Sequence, residues 1–148
     1  MVDILHKVGI KSSPLRAYDA LATREGLSGW WTKDTQWDGK VGSVISFRFG
    51  DRGFIDARVL ELDPAKRVLW EVVGGPANWI GTKISFDLVH DGDSVFVFFK
   101  HQGWKEPNEF MHHCSTKWAL FLMSAKSLVE TGTGAPYPND VHVSTEGD

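Results

Sequence analysis

Histidine and cysteine are the side chains of this sequence with the widest chemical repertoire, and three of them are adjacent. His112, His113 and Cys114 lie in a segment with helical periodicity, where neighbouring side chains point about 100° apart and cannot converge on one metal ion. Because no other His or Cys lies one helical turn away, we expect no metal site. Cys114 would need a base such as His101 to act as a nucleophile, and a free cysteine is more often an inert core residue.

His101 is the most interesting polar residue of the chain. Its position in an alternating pattern puts it on the same face as Phe99 and other apolar side chains. Two interpretations are open: a hydrogen-bonded core histidine, or a polar group that orients a ligand or moves a proton. Glu106 and Glu109 lie where a helix should begin, which favours capping over acid–base catalysis. We therefore assign no catalytic residue and favour a non-enzymatic role.

Motifs for phosphates and nucleotides are incomplete. Gly39-Lys40 is followed by Val41, where a phosphate-binding loop needs Ser or Thr. The chain has 16 basic and 19 acidic residues, so it lacks the positive excess of a nucleic-acid-binding protein. We expect no cofactor and no nucleic-acid partner.

Aromatic residues are unusually abundant, with seven Trp and nine Phe in 148 residues. Trp70 and Trp118 fall on faces predicted to be buried, which favours core packing. The other five lie at element ends or in loops, where aromatic side chains often line a pocket mouth or a partner surface. These five are Trp30, Trp31, Trp37, Trp79 and Trp104.

The elements that must position these side chains follow from periodicity. A half-buried strand is predicted over residues 3–11, and Ser13-Pro14 is typical of a helix start. Thr23 can cap a second helical turn over residues 24–29, and residues 32–42 show no periodicity and are expected to form a loop. Alternation then predicts strands over residues 43–49, 54–62, 68–73, 80–89 and 94–101. A long helix should begin after Pro107 and end at Gly132, followed by a mobile tail over residues 133–148.

This order predicts an α+β fold in which the helices lie on one side of an antiparallel sheet. A twisted sheet that curls around a long helix leaves a gap, which is a natural pocket. Apolar stretches are too short for a transmembrane helix, and the first residues do not resemble a secretory signal. The single Cys114 excludes an internal disulfide and favours a reducing, cytoplasmic location.

The succession of elements and residues resembles the helix-grip superfamily, which includes START domains, polyketide cyclases and pollen-allergen-like carriers. Within it, the chain is most similar to the family related to the C-terminal domain of the activator of the heat-shock chaperone ATPase. The likeness covers residues 3–132 and rests on the order and spacing of the following residues: Ser13, Pro14, Ala17, Tyr18, Asp19, Ala20, Leu21, Leu27, Trp30, Trp31, Gly39, Gly42, Val59, Glu61, Asp63, Pro64, Lys66, Arg67, Leu69, Thr82, Ile84, Phe86, His101, Gly103, Trp104, Trp118 and Leu122.

The resemblance implies one helix-grip domain over residues 1–132, with a curved antiparallel sheet wrapped around a long C-terminal helix and two short helices after the first strand. It also implies a cavity for a small apolar or amphipathic ligand. Chaperone activators of this kind carry an additional N-terminal domain for which this chain has no room, so their stress-response activity does not transfer with the fold.

The leading hypothesis is a small-molecule carrier for an apolar or aromatic ligand. We expect its walls to be Phe47, Phe49, Trp70, Phe86, Phe99 and Trp118, its main polar contact His101, and its entrance Trp30, Trp31 and Trp104. One alternative is an interaction module that assists a chaperone through exposed aromatic residues. Another is a cyclase-like enzyme that uses His101.

Overall fold

The computed structural model describes residues 1–144, which form a seven-stranded antiparallel sheet and three α helices. This is the predicted α+β arrangement, with two short helices after the first strand and a long helix at the end. The elements are β1 (Val2–Ile10), α1 (Pro14–Ala22), α2 (Arg24–Trp30), β2 (Asp34–Gln36), β3 (Val44–Arg48), β4 (Phe54–Asp63), β5 (Arg67–Gly74), β6 (Lys83–Asp91), β7 (Ser94–Trp104) and α3 (Glu109–Thr131).

The sheet has the strand order β1-β7-β6-β5-β4-β3-β2. Strands β2 to β7 form a meander because their short connections allow only antiparallel neighbours. The chain closes this meander by pairing β1 with β7, which places His101 between Ile4 of β1 and Ile84 of β6. Register shifts in β4 against β5 mark bulges, which add twist and curl the sheet around α3.

The helix boundaries confirm the signals in the sequence. The Ser13 side chain accepts a hydrogen bond from the Arg16 amide, and Thr23 does the same for α2. At the start of α3 the cap is Asn108, and the helix ends at Gly132, whose φ of 87° is one that glycine adopts without strain.

The core lies between the concave face of the sheet and α3. Alternating strand residues such as Phe47, Trp70 and Phe86 are fully buried on this face. Trp118 and Leu122 of α3 pack over them, as the helical stripe predicts.

Three boundaries differ from those predicted. Strand β7 continues to Trp104 instead of ending at His101, because its pairing with β1 and β6 extends past that residue. Residues 34–36, within the predicted loop, form β2, a three-residue edge strand too short to show an alternating pattern. The predicted strand over residues 80–89 begins at Lys83 instead, because Trp79 to Gly81 turn the chain and leave Ile80 about half exposed.

The segment after Gly132 was predicted to be a mobile tail, and its described part lies against the domain. The amide of Tyr137 donates to the Trp31 carbonyl at 2.8 Å, and its carbonyl accepts from the Lys33 amide at 3.2 Å. The amide of Ala135 donates to Ser124 Oγ at 2.7 Å. The last four residues of the predicted tail, 145–148, lie outside the described part of the chain.

Across residues 1–144, no helix combines the length and the apolar character that crossing a membrane requires.

Candidate functional site

A cavity of about 380 Å³ lies at one end of the sheet, where the β3–β4 and β5–β6 connections meet the first half of α3. Its size is within the range of small-molecule sites. We call it the aromatic cavity. Its lining consists of Trp31, Phe49, Arg52, Gly53, Phe54, Ile55, Gly75, Pro76, Trp79, Phe110, His113, Cys114, Lys117, Trp118, Phe121, Tyr137 and Asp140.

Helix α3 presents one continuous face to the aromatic cavity. The lining residues from Phe110 to Phe121 follow the pattern i, i+3, i+4, i+7, i+8 and i+11, which the 3.6-residue period places on one side of the helix. The opposite wall comes from the β3–β4 turn, and Tyr137 and Asp140 cover one side from the C-terminal segment.

Trp31 lies at the centre of the aromatic wall. Its ring centroid is 4.9 Å from that of Trp118 and 4.3 Å from that of Phe47. Trp79 stacks on Trp118, with centroids 5.9 Å apart and planes 19° from parallel, and its centroid also lies 6.5 Å from that of Trp31. Offset and tilted aromatic pairs of this kind contribute about 0.5–1.5 kcal/mol each beyond their area burial. Each ring of the wall is therefore held by several aromatic neighbours.

A buried ion pair forms the polar end of the cavity. Lys117 Nζ lies 2.5 Å from Asp140 Oδ2 and donates to the Val141 carbonyl at 2.8 Å. The two charged side chains are only 11% and 8% exposed. Asp140 Oδ1 is buried and has no hydrogen-bond partner among residues 1–144. Leaving such an oxygen unpaired costs free energy, so this carboxylate is incompletely satisfied.

Cys114 lies in the cavity wall as a protonated thiol. Burial raises its pKa to about 12, and the nearby Trp79 indole opposes this only in part. A thiol without appreciable thiolate is a poor nucleophile. No group of His, Cys, Asp or Glu side chains within the described residues is arranged to hold a metal ion.

His101 lies behind the cavity wall with both ring nitrogens engaged. Thr82 Oγ1 donates to the Trp79 carbonyl at 2.5 Å, so it accepts the proton of His101 Nε2 at 2.8 Å. His101 Nδ1 accepts from the Trp118 indole at 3.1 Å. These contacts fix the neutral tautomer with the proton on Nε2, and burial lowers the pKa of His101 to about 3. Proton transfer by this ring would require breaking one of the two bonds.

The structure separates the ten residues expected at the ligand site into two layers. Trp31, Phe49 and Trp118 line the aromatic cavity. The other seven belong to the packed layer around it: Trp30, Phe47, Trp70, Phe86, Phe99, His101 and Trp104, each at most 1% exposed.

Trp30 and Trp104 were expected near an entrance because they end their elements. Trp30 instead points inward, where its indole donates to the Ala20 carbonyl at 2.8 Å, and Trp104 packs edge-on against Trp79. Trp30 ends α2 and Trp104 ends β7, and the packing of each element end against the core decides its direction, which periodicity within one element does not reveal.

Sequence reasoning missed the polar lining residues Lys117, His113, Arg52 and Asp140. Lys117 and His113 lie next to Trp118 and Cys114 of the apolar stripe of α3, and this spacing was a usable signal for them. Asp140 lies in an aperiodic segment, so only the folded chain brings it to Lys117.

Comparisons with known proteins agree with this architecture. The family described as "Activator of Hsp90 ATPase homolog 1-like protein" matches residues 11–130. The solution structure of the Aha1 dimer from Colwellia psychrerythraea shares 48% identity and a TM-score of 0.84, covering 90% of this chain and all of that one. None of the curated proteins matches this chain.

More distant structures share the fold alone. SSP2350 from Staphylococcus saprophyticus has 13% identity and a TM-score of 0.75 over 90% of this chain and 95% of that one. DynU16, a protein of the dynemicin biosynthetic locus, has 16% identity and a TM-score of 0.72 over 89% of this chain and 48% of that one.

Proposed function

This chain belongs to the activator of Hsp90 ATPase homolog 1-like family, and we propose that it binds a small aromatic or amphipathic compound in the aromatic cavity. The observation that carries the proposal is a preformed space of about 380 Å³ between Trp31, Trp79, Trp118 and Phe121. Flat apolar rings can stack there on side chains that are already ordered, so binding requires little additional ordering of the protein.

The expected affinity is moderate. A ligand of 15–20 heavy atoms gains about 0.3–0.4 kcal/mol per atom in a site of this kind, or roughly 5–8 kcal/mol in total. This corresponds to a dissociation constant of about 1–200 μM. Such a value suits a carrier that exchanges its ligand.

Fluorescence titration with N-phenyl-1-naphthylamine tests the proposal. This neutral aromatic dye becomes bright in apolar sites, and bound next to Trp31, Trp79 and Trp118 it should accept energy from tryptophan. The variant Cys114→Phe places a ring inside the cavity and should weaken binding by about tenfold or more. Cys114→Ser changes the same side chain without filling the cavity and should bind like the wild type.

Cooperative thermal unfolding of both variants is the control that shows that each of them is folded. The proposal is refuted if the folded wild type does not bind the dye, or if Cys114→Phe binds it as well as Cys114→Ser does.

A second candidate function is assistance to an Hsp90-type chaperone. It is supported by the family description and by the 48% identity to the Colwellia Aha1 protein over that whole chain. The single Cys114 favours the reducing cytoplasm in which such a chaperone would be met. A chaperone ATPase assay tests it: turnover should rise with added protein, and unchanged turnover at saturating protein would exclude this role.

A further inference from the structure

We propose that the ligand of the aromatic cavity carries one acidic group, which takes the place of Asp140 at Lys117. This inference rests on the proposed function and specifies its ligand class: a flat aromatic compound with a carboxylate or sulfonate. Lys117 is then the residue that binds the acidic group of the ligand. Asp140 is an internal substitute for that group: its carboxylate pairs with Lys117 when no ligand is bound.

The charge of the lining differs from that of the whole chain. The chain has a formal net charge of −3. Among the described lining residues the permanent cations are Arg52, which is exposed, and Lys117, which is buried beside the carboxylate of Asp140. The buried ammonium of Lys117 favours an anionic group at this point, because a fixed charge acts strongly where little water reaches it.

Lys117 is positioned to hold an anion at the polar end of the cavity. It extends from the face of α3 that also carries Trp118 and Phe121, and its Nζ lies 5.1 Å from the centre of the Phe121 ring. A ligand whose ring packs on Trp118 can therefore direct an acidic group to Nζ. A charge-assisted hydrogen bond formed there is roughly twice as strong as a neutral one.

Exchange of one carboxylate for another avoids the main cost of a buried charge. Adding an anion beside an intact ion pair would leave an excess negative charge in a buried site, whereas replacing Asp140 keeps Lys117 paired throughout. Asp140 is suited to leave, because its Oδ1 is buried without a hydrogen-bond partner in the described chain and gains such partners in water.

The exchange requires only that the Asp140 side chain leave Lys117. The C-terminal segment is tied to the domain at Tyr137, which bonds to Trp31 and Lys33, and the Asn139 amide donates to the Pro136 carbonyl. Asp140 lies in a stretch without regular secondary structure, and Lys117 also donates to the neighbouring Val141 carbonyl. Rotation of the Asp140 side chain therefore gives another anion access to the Lys117 ammonium while these backbone bonds remain.

A matched pair of dyes tests the inference. 8-Anilinonaphthalene-1-sulfonate has the ring system of N-phenyl-1-naphthylamine plus one sulfonate, so the ratio of their dissociation constants isolates the acidic group. We expect the wild type to bind the sulfonate dye about tenfold more tightly than the neutral dye. Asp140→Asn should strengthen sulfonate binding by about a further tenfold, because the competing charge is gone.

The double variant Lys117→Met/Asp140→Asn removes both charges of this ion pair. It should bind the two dyes with equal affinity, because the anion-binding ammonium is gone. Cooperative thermal unfolding shows that the variant is folded, and binding of the neutral dye shows that the cavity is open.

The outcomes separate the two proposals. If the neutral dye binds in the cavity but the sulfonate gives no advantage, or the double variant keeps that advantage, the acidic-ligand inference is wrong and the proposed function stands. If Asp140→Asn weakens sulfonate binding, the substitute role of Asp140 is wrong. If neither dye binds the folded wild type, the proposed function and this inference fail together.

Discussion

The stability of this protein should depend on pH through one buried histidine. His101 has its Nε2 proton directed at Thr82 and its Nδ1 occupied by the Trp118 indole, and its side chain is fully buried. Burial lowers its pKa in the folded protein to about 3 from an ordinary value of 6.5. Below pH 6.5 the unfolded chain therefore binds a proton that the folded chain does not, so stability is present above that pH and is lost as pH falls towards 3.

The magnitude follows from proton linkage. Each pH unit in this window costs about 1.4 kcal/mol of unfolding free energy, or roughly 5 kcal/mol over the whole range. A domain of this size has a total of about 5–15 kcal/mol, so His101 alone can remove a large part of it. Between pH 7.5 and 5.0 the effect begins only below pH 6.5, so it acts over about 1.5 pH units. The expected loss of unfolding free energy is about 2 kcal/mol.

Urea unfolding followed by circular dichroism at pH 7.5 and 5.0 measures this loss, with His101→Gln as the control. Glutamine keeps a donor for Thr82 but has no ionisable group. It leaves the Trp118 indole unpaired, so the variant should be about 1–3 kcal/mol less stable at pH 7.5. When the pH is lowered from 7.5 to 5.0, the variant should lose about 2 kcal/mol less unfolding free energy than the wild type loses. Equal losses in the two proteins would refute a neutral, proton-excluding His101.

Two further predictions concern the packing of α2 and the thiol in the cavity wall. A Cβ on Gly26 would lie 2.6 Å from backbone atoms of Ala20, so Gly26→Ala should lower stability by about 1–3 kcal/mol in thermal unfolding. Gly29→Ala, in the same helix, meets only the flexible Leu128 side chain and should cost less; the reverse order would contradict the close packing of α1 and α2. Because burial raises the pKa of Cys114 to about 12, its reaction with a disulfide reagent at pH 8 should be at least about 100-fold slower in the folded than in the urea-unfolded protein, and similar rates would show that the thiol is accessible.

The elements of the fold could be predicted because their signals are local. Ser13, Thr23 and Gly132 mark helix ends through hydrogen bonds and backbone angles that involve only near neighbours. Alternation and helical periodicity similarly located the strands and α3. Strand β2 is an exception because it is too short to alternate. The start of β6 moves from the predicted residue 80 to Lys83 because of the Trp79–Gly81 turn, and β7 extends past the predicted residue 101 to Trp104.

The candidate site could be predicted only in part. The residues on the stripe of α3 were accessible to periodicity, and Trp118 was identified in this way. The sequence could not show that Trp31 lines the cavity while Trp30 lies behind its wall. Both residues lie at the end of the same short helix, and only packing sets the directions of their side chains.

The sequence by itself determined the fold class, the family resemblance and the aromatic character of the interior, since these depend on patterns within single elements. Only the tertiary structure decided which aromatic rings border an open space, that His101 is a fully bonded core residue, and that Asp140 meets Lys117 across 23 residues of chain. The physical reason is that these features depend on contacts between distant segments, whose geometry is set by the curvature of the sheet and the path of the C-terminal segment.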